Sequence, residues 1–370
     1  MQNKIIIYYP SIEFGGMEKN LANLFNELVK KFKVEIITLT IDKKFKEKIS
    51  KKIFINKKKN SNIKFTLFHR IFSSFFLISF FIKILKKNDN KKTVILSPQN
   101  SIISIIIARI LKFKIIVRNG NHPKSALLFS DNFIISAISF FLRIFIYNFA
   151  SLIIVNSKSS KKFFQRYLIK KKLVSFINNT TLHAINTKNL KKKKYILSAG
   201  RLAKQKDFYT LIKSFYIFQK QFNKYKLIII GKGKLKYQLQ NYATSLNIKN
   251  KVIFKGFVNN PKKLFQEAKI YVCSSLYEGQ PNSLIESLAF FTPVISTNCE
   301  SGPSEILMNG KFGHLVPIKR PDLLAEKIKY VLNNYQNEKN KLNKVKKTLY
   351  KYTVKHNSQI YIKKINELLK

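Results

Sequence analysis

Short apolar runs alternate along the chain with longer segments in which apolar residues recur at every third or fourth position. The runs are rich in Ile, Leu and Val, which is typical of strands buried on both faces of a parallel sheet. Leu21, Leu24, Phe25 and Leu28 show the longer spacing and predict an amphipathic helix over 17–30. The strands predicted in this first series are 4–9, 34–40, 93–97, 114–117 and 152–155.

A second series of strands and helices begins after the polar, lysine-rich stretch 178–194. Its strands are predicted at 195–198, 226–230, 252–255, 270–274 and 294–296, and its helices at 207–218, 235–246, 261–268, 282–290 and 321–333. The alternation predicts an α/β fold with two Rossmann-like domains. We place them at 1–180 and 195–350, with a linker at 181–194 and a final helix at 351–370.

Two glutamates flank a predicted strand-to-helix junction, with seven residues between them. Glu278 follows the apolar run 270–273, and Glu286 lies one turn into the helix that Pro281 opens. Ligands of open α/β sheets bind at the carboxyl ends of strands, and helix amino termini favour anions. Such a unit can hold hydroxyls with its carboxylates and phosphates with its amides.

Two basic residues follow an earlier strand of the same predicted sheet. Arg201 comes directly after Gly200, and Lys206 comes five positions later. Only seven of the 70 basic residues are arginines, and Arg grips phosphate oxygens in a bidentate fork that Lys cannot copy. The alternative, a basic turn in a lysine-rich chain, stays open for Lys206 in particular.

The segment 274–288 resembles the glutamate-x7-glutamate motif of retaining glycosyltransferases of the GT-B fold, in particular family 4. The match continues through 292–297 and 301–307 and is anchored upstream by 198–207. The resemblance implies two Rossmann-like domains that face a central cleft. It also implies that the helix at 351–370 crosses back to pack on the N-terminal domain, which binds the acceptor, while the C-terminal domain binds the nucleotide sugar.

The resemblance also assigns roles to residues. Arg201 and Lys206 would contact the donor diphosphate, Glu286 the ribose hydroxyls, and Glu278 the donor sugar. The loop residues predicted to bind substrate beside them are Gly279, Gln280, Pro281, Asn282 and Ser283. In the account favoured for this family the leaving phosphate itself takes the acceptor proton, so no protein nucleophile is required.

Glycines at three further turns are predicted to bind substrate. Gly15 and Gly16, at the first strand-to-helix turn, resemble a family element that reaches the phosphates or the acceptor. Gly231 and Gly233 could let the backbone approach the nucleotide, although a simple tight turn explains them equally well. Gly302 would close over the donor.

His122 is the catalytic candidate among the five histidines. It lies in a loop just after the strand 114–117, near the point where several family members carry a histidine that contacts the donor sugar. An ordinary loop histidine is the alternative. Arg118 and Asn119 are rival contacts for the acceptor.

The formal net charge of +52 normally suggests nucleic acid. The excess is almost all lysine, which a codon bias toward AT produces by itself, and we find no nucleic-acid-binding motif, so no nucleic-acid partner is expected. Between Glu47 and Asp207 the only acids are Asp89 and Asp131. Basic charge beside apolar surface is typical of proteins that lie on anionic membranes.

Three apolar segments fall in this acid-poor stretch, at 71–85, 102–107 and 133–155. The first is shorter than the roughly 20 residues of a membrane-spanning helix, and Arg143 interrupts the last. They are either buried helices or segments inserted into one leaflet, and the sequence leaves both open.

Other features bound the chemistry and the compartment. Two cysteines form no disulfide framework, the first apolar run is too short for a signal peptide, and no Asp-x-Asp motif occurs. We therefore expect a cytoplasmic protein, peripherally bound to the inner membrane, with neither cofactor nor metal.

The hypothesis is a retaining glycosyltransferase that moves a sugar from a nucleoside diphosphate, UDP by preference, to a bacterial glycan. The acceptor would be a lipid-linked oligosaccharide or lipopolysaccharide glycan of O-antigen, capsule or glycoprotein assembly. The alternatives are a GT-B enzyme with a small soluble acceptor, a sugar-nucleotide epimerase, and a basic nucleic-acid-binding protein.

Overall fold

The computed structural model describes residues 2–57, 67–98, 102–129, 132–184 and 190–370. The chain forms two compact units. The first comprises Met1–Gly120, Asn132–Thr181 and Thr353–Lys370, and the second comprises Asn121–Asp131 and Leu182–Tyr352. Residues 121–131, which the sequence-based boundary assigns to the first domain, thus group with the second unit.

The first unit is built on a seven-stranded parallel sheet with the strand order β5-β3-β1-β6-β7-β8-β9. Five of these strands, β1, β3, β6, β7 and β8, are rich in Ile, Leu or Val and mostly buried, as the apolar runs predict. A small two-stranded sheet joins β2 to β4. The strands are β1 (Lys4–Tyr8), β2 (Ser11–Ile12), β3 (Lys33–Thr38), β4 (Thr40–Ile41), β5 (Phe54–Lys57), β6 (Thr93–Ser97), β7 (Lys114–Asn119), β8 (Leu152–Val155) and β9 (Val174–Phe176).

Helices cover the two faces of this sheet and close two apolar cores. They are α1 (Gly16–Leu28), α2 (Lys43–Lys48), α3 (Leu67–Lys86), α4 (Ile102–Ile110), α6 (Phe133–Tyr147), α7 (Lys158–Tyr167) and α16 (Val354–Leu369). Leu77, Phe81 and Leu85 of α3 point into one core at helical spacing. The apolar segment 133–155 is not continuous in the structure, because it divides into α6 and the strand β8.

The last helix, α16, belongs to the first unit, so the chain returns to that unit after completing the second. Tyr361 and Ile365 are fully buried in the same core as α1. Asn357 donates a hydrogen bond from Nδ2 to the carbonyl of Asn179, 3.3 Å away. The return of α16 therefore completes the core of the first unit.

The second unit is built on a six-stranded parallel sheet with the order β12-β11-β10-β13-β14-β15. The strands are β10 (Tyr195–Ala199), β11 (Lys226–Ile230), β12 (Val252–Gly256), β13 (Ile270–Cys273), β14 (Val294–Thr297) and β15 (His314–Val316). The helices are α5 (Pro123–Leu128), α8 (Phe208–Gln219), α9 (Lys236–Ser245), α10 (Lys262–Glu267), α11 (Asn282–Ala289), α12 (Pro303–Ile306), α13 (Pro321–Asn333), α14 (Tyr335–Leu342) and α15 (Lys346–Leu349).

Gly231 allows the loops that leave β10 and β11 to pack against each other. Its φ is +140°, and a Cβ built there would lie 1.8 Å from the carbonyl oxygen of Gly200. A Cβ on Gly233 would lie 2.2 Å from the carbonyl oxygen of Leu202. Both glycines thus serve a close approach of backbone to backbone beneath the loop that carries Arg201.

The lengths of the helices decide whether any apolar segment could span a membrane. Within the described residues, no helix is both long and apolar enough to cross a bilayer.

Truncating Ile365 to Ala should lower the free energy of unfolding by about 2–5 kcal/mol, because a fully buried side chain is replaced by a cavity. Lys363→Ala, on the exposed side of the same helix, should change it by less than about 0.5 kcal/mol. Urea unfolding followed by circular dichroism measures both. Equal effects would mean that α16 contributes little to the core.

Gly231→Ala should destabilise the second unit far more than Gly256→Ala. Both glycines have positive φ, but a Cβ on Gly256 meets no atom within 4 Å. The Gly256 variant should therefore be destabilised only by backbone strain, by about 1–2 kcal/mol, whereas the Gly231 variant must also move the Gly200 loop. Melting temperatures compare the two, and a similar loss in both would contradict the close approach.

Candidate active site

Two loops at the carboxyl edge of the second sheet are joined by a ladder of hydrogen bonds. The loop after β10 contains Gln205 and Lys206, and the loop after β13 contains Ser274 to Gln280. Gln205 donates from Nε2 to the carbonyl of Tyr277 (2.9 Å) and accepts from the amide of Leu276 at its own carbonyl (2.8 Å). Ser274 Oγ donates to the carbonyl of Lys206 (2.8 Å). Neighbouring strands β10 and β13 therefore present their exit loops as one surface.

Lys206 and Glu278 form a buried ion pair at the centre of this surface. Ser275 Oγ donates a second hydrogen bond, 2.6 Å long, to the same carboxylate oxygen of Glu278. Burial opposes the charge on Lys206, but the carboxylate of Glu278 and its hydrogen bond outweigh this effect and raise the pKa of the ammonium. Lys206 therefore stays cationic at neutral pH.

Helix α11 begins directly after this loop. Pro281 precedes it and provides no side-chain cap. Glu286 lies half-buried one turn into the helix. Tyr271, at the core of β13, donates from its hydroxyl to Ser283 Oγ (2.6 Å), and burial raises the pKa of that phenol well above its ordinary value. This bond ties the first turn of α11 to the strand beneath it.

The turn at Gly302 packs on the glutamate loop. Gly302 has φ of +92°, and a Cβ there would lie 2.5 Å from the carbonyl oxygen of Gly279. Ser301 Oγ donates to the same carbonyl at 3.2 Å. Gly279 and Gln280 are buried in consequence.

His122 is buried in a small polar cluster that contacts the same turn. Its Nδ1 lies 3.2 Å from Ser125 Oγ and 3.3 Å from Glu300 Oε2. Ser125 Oγ donates to that carboxylate at 2.7 Å. The segment is fixed further by a β-bridge between Asn121 and Gly279. His122 is thus part of the second unit's site, beside the loop that carries Glu278.

Stacking also fixes this segment. The ring of Phe129 lies parallel to that of Tyr277, with centroids 5.8 Å apart, and Lys319 lies over the Phe129 ring. Grouping of 121–131 with the second unit follows from these contacts.

The other candidates lie in different places. Arg201 is exposed at the edge of the site. Gly231 and Gly233 lie beneath the Arg201 loop, where their small size is already used by the backbone. Gly15 and Gly16, at the start of α1, belong to the first unit.

Arg118 and Asn119 are also in the first unit, buried at the end of β7. Arg118 donates from Nη2 to Asn179 Oδ1 at 2.6 Å. It therefore ties β7 to the segment by which the chain leaves that unit.

Four site residues escape the sequence analysis: Ser125, Tyr271, Ser275 and Glu300. Glu300 could have been recognised from the sequence, because acids are scarce in this chain and this one directly precedes the turn at Ser301 and Gly302. Ser275 and Tyr271 offer no such signal, because neither a serine in a loop nor a tyrosine in a core strand is distinctive.

This arrangement offers a cation, two carboxylates and helix amides. Burial raises the pKa of both Cys273 and Cys299, so the thiols stay protonated. Among the residues that the structure describes, no group of three or more His, Cys, Asp or Glu side chains could hold a metal ion. The geometry suits the binding of an anionic, hydroxyl-rich ligand.

The cluster around His122 predicts a pKa response. Burial lowers the pKa of this imidazole, and Glu300 partly offsets the effect. Glu300→Gln should therefore lower the pKa further, while Glu326→Gln, at an exposed site, should leave it unchanged. Histidine NMR titration, with His122→Gln to assign the resonance, measures this.

The same shift has a consequence for stability. A folded pKa below the unfolded value of about 6.5 favours the neutral ring, so this contribution to stability is present above pH 6.5 and is lost on acidification. An unchanged or raised pKa in Glu300→Gln would contradict the contact.

Residues 180–351 match the family model described as glycosyl transferases group 1. Two relatives from Campylobacter jejuni extend over nearly the whole chain. The N-acetylgalactosamine-N,N'-diacetylbacillosaminyl-diphospho-undecaprenol 4-alpha-N-acetylgalactosaminyltransferase is 31% identical over 359 residues, covering 93% of this chain and 94% of its own. The GalNAc-alpha-(1->4)-GalNAc-alpha-(1->3)-diNAcBac-PP-undecaprenol alpha-1,4-N-acetyl-D-galactosaminyltransferase is 29% identical over 368 residues, covering 99% of both.

A solved structure shares the fold at low sequence identity. HepE from Anabaena, in complex with UDP and glucose, superposes with a TM-score of 0.79 at 18% identity and covers 99% of this chain and 100% of its own. The predicted GT-B fold, with two Rossmann-like domains, is confirmed by this likeness. With a relative above 30% identity along nearly its whole length, the chain belongs to the glycosyl transferases group 1 family and is a glycosyltransferase.

Proposed function

We propose that this glycosyltransferase moves a sugar from a UDP-sugar to a lipid-linked glycan, with retention of the anomeric configuration. The observation that carries the proposal is the buried pair of Lys206 and Glu278 on the joined loops of β10 and β13. It sets a permanent cation and a carboxylate side by side at the edge of a parallel sheet, where ligands of such sheets bind.

The donor diphosphate fits the basic side of this surface. Arg201 is exposed and can donate two parallel hydrogen bonds to phosphate oxygens. Lys206 keeps its charge because Glu278 raises its pKa, and the uncapped start of α11 supplies amides. UDP is the preferred nucleotide, since HepE binds it within the same fold.

The hydroxyl groups of the donor fit the carboxylates. Glu286 would accept from the ribose, and Glu278 with residues 279–283 would face the sugar. In the proposed step the acceptor oxygen bonds to the anomeric carbon on the face from which the phosphate leaves, and the leaving phosphate oxygen takes the acceptor proton. Arg201 and Lys206 stabilise the charge that develops on this phosphate. The proposal requires neither metal nor cofactor.

The acceptor is proposed to be a lipid-linked or lipopolysaccharide glycan. Both Campylobacter relatives are named for undecaprenol-linked diphosphate substrates. The acid-poor, basic first domain suits an enzyme that works on such lipids at the cytoplasmic face of the inner membrane. Its products would serve O-antigen, capsule or glycoprotein assembly.

Calorimetric titration with UDP tests the donor site. Arg201→Ala and Glu286→Ala should each weaken UDP binding by about tenfold or more, as expected for the loss of a hydrogen bond to a charged group. Arg320→Ala is the matched control, because this exposed arginine pairs with Asp322 instead. Chelation with EDTA should leave UDP binding unchanged.

Two results would overturn parts of this proposal. If neither substitution weakens UDP binding, the donor site does not lie on this surface. A product with inverted anomeric configuration, measured by proton NMR after transfer from an α-linked donor, would rule out the retaining step.

A further inference from the structure

The outer face of α6 is apolar along its whole length. Its exposed large side chains are between 47% and 71% accessible, and Phe149 just beyond its end is 44% accessible. They are Phe133, Ile134, Ile135, Ile138, Phe141, Leu142 and Phe145. Ile134, Ile138, Phe141, Phe145 and Phe149 follow one another at intervals of three or four residues, so they form a stripe along one side of the helix.

Neighbouring elements of the first unit extend this stripe into a wider surface. Helix α4, which packs on α6, exposes Ile103, Ile106 and Ile110. At the other end, the amide of Ile169 donates to Asn148 Oδ1 at 2.9 Å, which holds Ile169, 86% exposed, beside the end of α6. We call the exposed apolar residues of α4 and α6, with Phe149 and Ile169, the apolar face. Contiguous patches of this kind on a soluble surface mark an interaction site.

Basic residues stand close to the apolar face in the chain, at the end of α4 and around Ile169. Arg109, Lys112 and Lys114 are exposed at the end of α4 and just after it, and Arg166, Lys170 and Lys171 are exposed around Ile169. From residue 90 to residue 206 the sequence contains a single acid, Asp131. Arg143, the one charged residue of α6, is only half-exposed and lies near the buried Tyr147 rather than on the stripe.

We infer that the apolar face is seated in one leaflet of an anionic membrane, with α6 lying in the plane of the interface. An apolar stripe bordered by basic residues is the pattern of interfacial helices. The fifteen residues of α6 span about 22 Å, too short to cross the hydrocarbon core but long enough to lie along it.

This inference rests on the proposed function, because it names the surface by which the enzyme would reach a lipid-linked acceptor. It also resolves the alternatives of the sequence analysis by segment. In segment 71–85, Leu77, Phe81 and Leu85 are buried in the core, whereas the outer sides of 102–107 and 133–155 supply the membrane contact.

The absence of Trp from the chain makes a direct test possible. Phe141→Trp places one fluorophore on the apolar face, and Phe54→Trp places one at a similarly exposed site on β5 (69% and 61% accessible). With phosphatidylglycerol-containing vesicles, emission of Phe141→Trp should shift to the blue and be quenched by brominated acyl chains. Phe54→Trp should show neither change.

Two outcomes would overturn the inference. Equal responses of the two tryptophan variants would mean that binding is not directed by this face. A blue shift without vesicles that grows with protein concentration would mean that a second copy of the chain covers it.

A second experiment separates the inference from the proposed function. In a vesicle flotation assay, the fraction of protein recovered with anionic vesicles should be at least about tenfold lower for the triple variant I134S/F141S/F145S than for the wild type. Its affinity for UDP should stay the same. The matched control, F54S/L190S/Y237S, removes three exposed apolar side chains elsewhere and should float normally.

The possible failures are distinct. If the wild type binds UDP but the triple variant still floats normally, the membrane surface is wrong and the donor site stands. If vesicle binding of the wild type depends on the apolar face but the protein binds no UDP, the proposed function is wrong and the membrane surface stands. Melting curves of both triple variants show whether either has lost its fold.

Discussion

The ion pair between Lys206 and Glu278 is the interaction on which the site depends. Both groups are largely buried, and neither could remain charged there alone, because leaving one partner of a buried pair uncompensated costs about 3–5 kcal/mol. The pair joins the exit loop of β10 to that of β13, and Ser275 holds its carboxylate in place. Every proposed donor contact in the second unit lies on one of these loops, on the helix that follows, or on the turns packed against them.

Glycines at two turns allow other backbone segments to pack closely against these loops. Gly231 lets the next loop pass against the backbone of Gly200, and Gly302 lets the following turn lie on Gly279. The loops are therefore held by backbone packing on both sides, and the charged side chains need little reorganisation to receive a ligand.

The apolar periodicity was sufficient to predict the long buried strands and the parallel sheets. Strands β11 and β6 lie where the Ile and Val runs place them. It was insufficient for β5, β9 and β15, which are short and include polar residues, so their pairing is set by the neighbouring strand rather than by their own pattern.

The motif also located the glutamate loop and its helix, since glycine, proline and acid occur there in a fixed order. It could not place His122 relative to Glu300, which lies 178 positions further along the chain, because that contact exists only in three dimensions. The same limit applies to the border between the two units. The segment 121–131 follows a strand of the first unit in sequence, but Ser125, Phe129 and Asn121 contact Glu300, Tyr277 and Gly279 of the second unit.

The return of α16 to the first unit also sets the order in which the protein can be completed on the ribosome. The core of the first unit includes Tyr361 and Ile365, which are synthesised after all of Leu182–Tyr352. At ordinary rates of translation that interval lasts roughly ten to thirty seconds. During this time the surface of α1 that α16 covers remains exposed. The core of the first unit is therefore incomplete until α16 has been synthesised, and such incompletely packed intermediates are prone to aggregation.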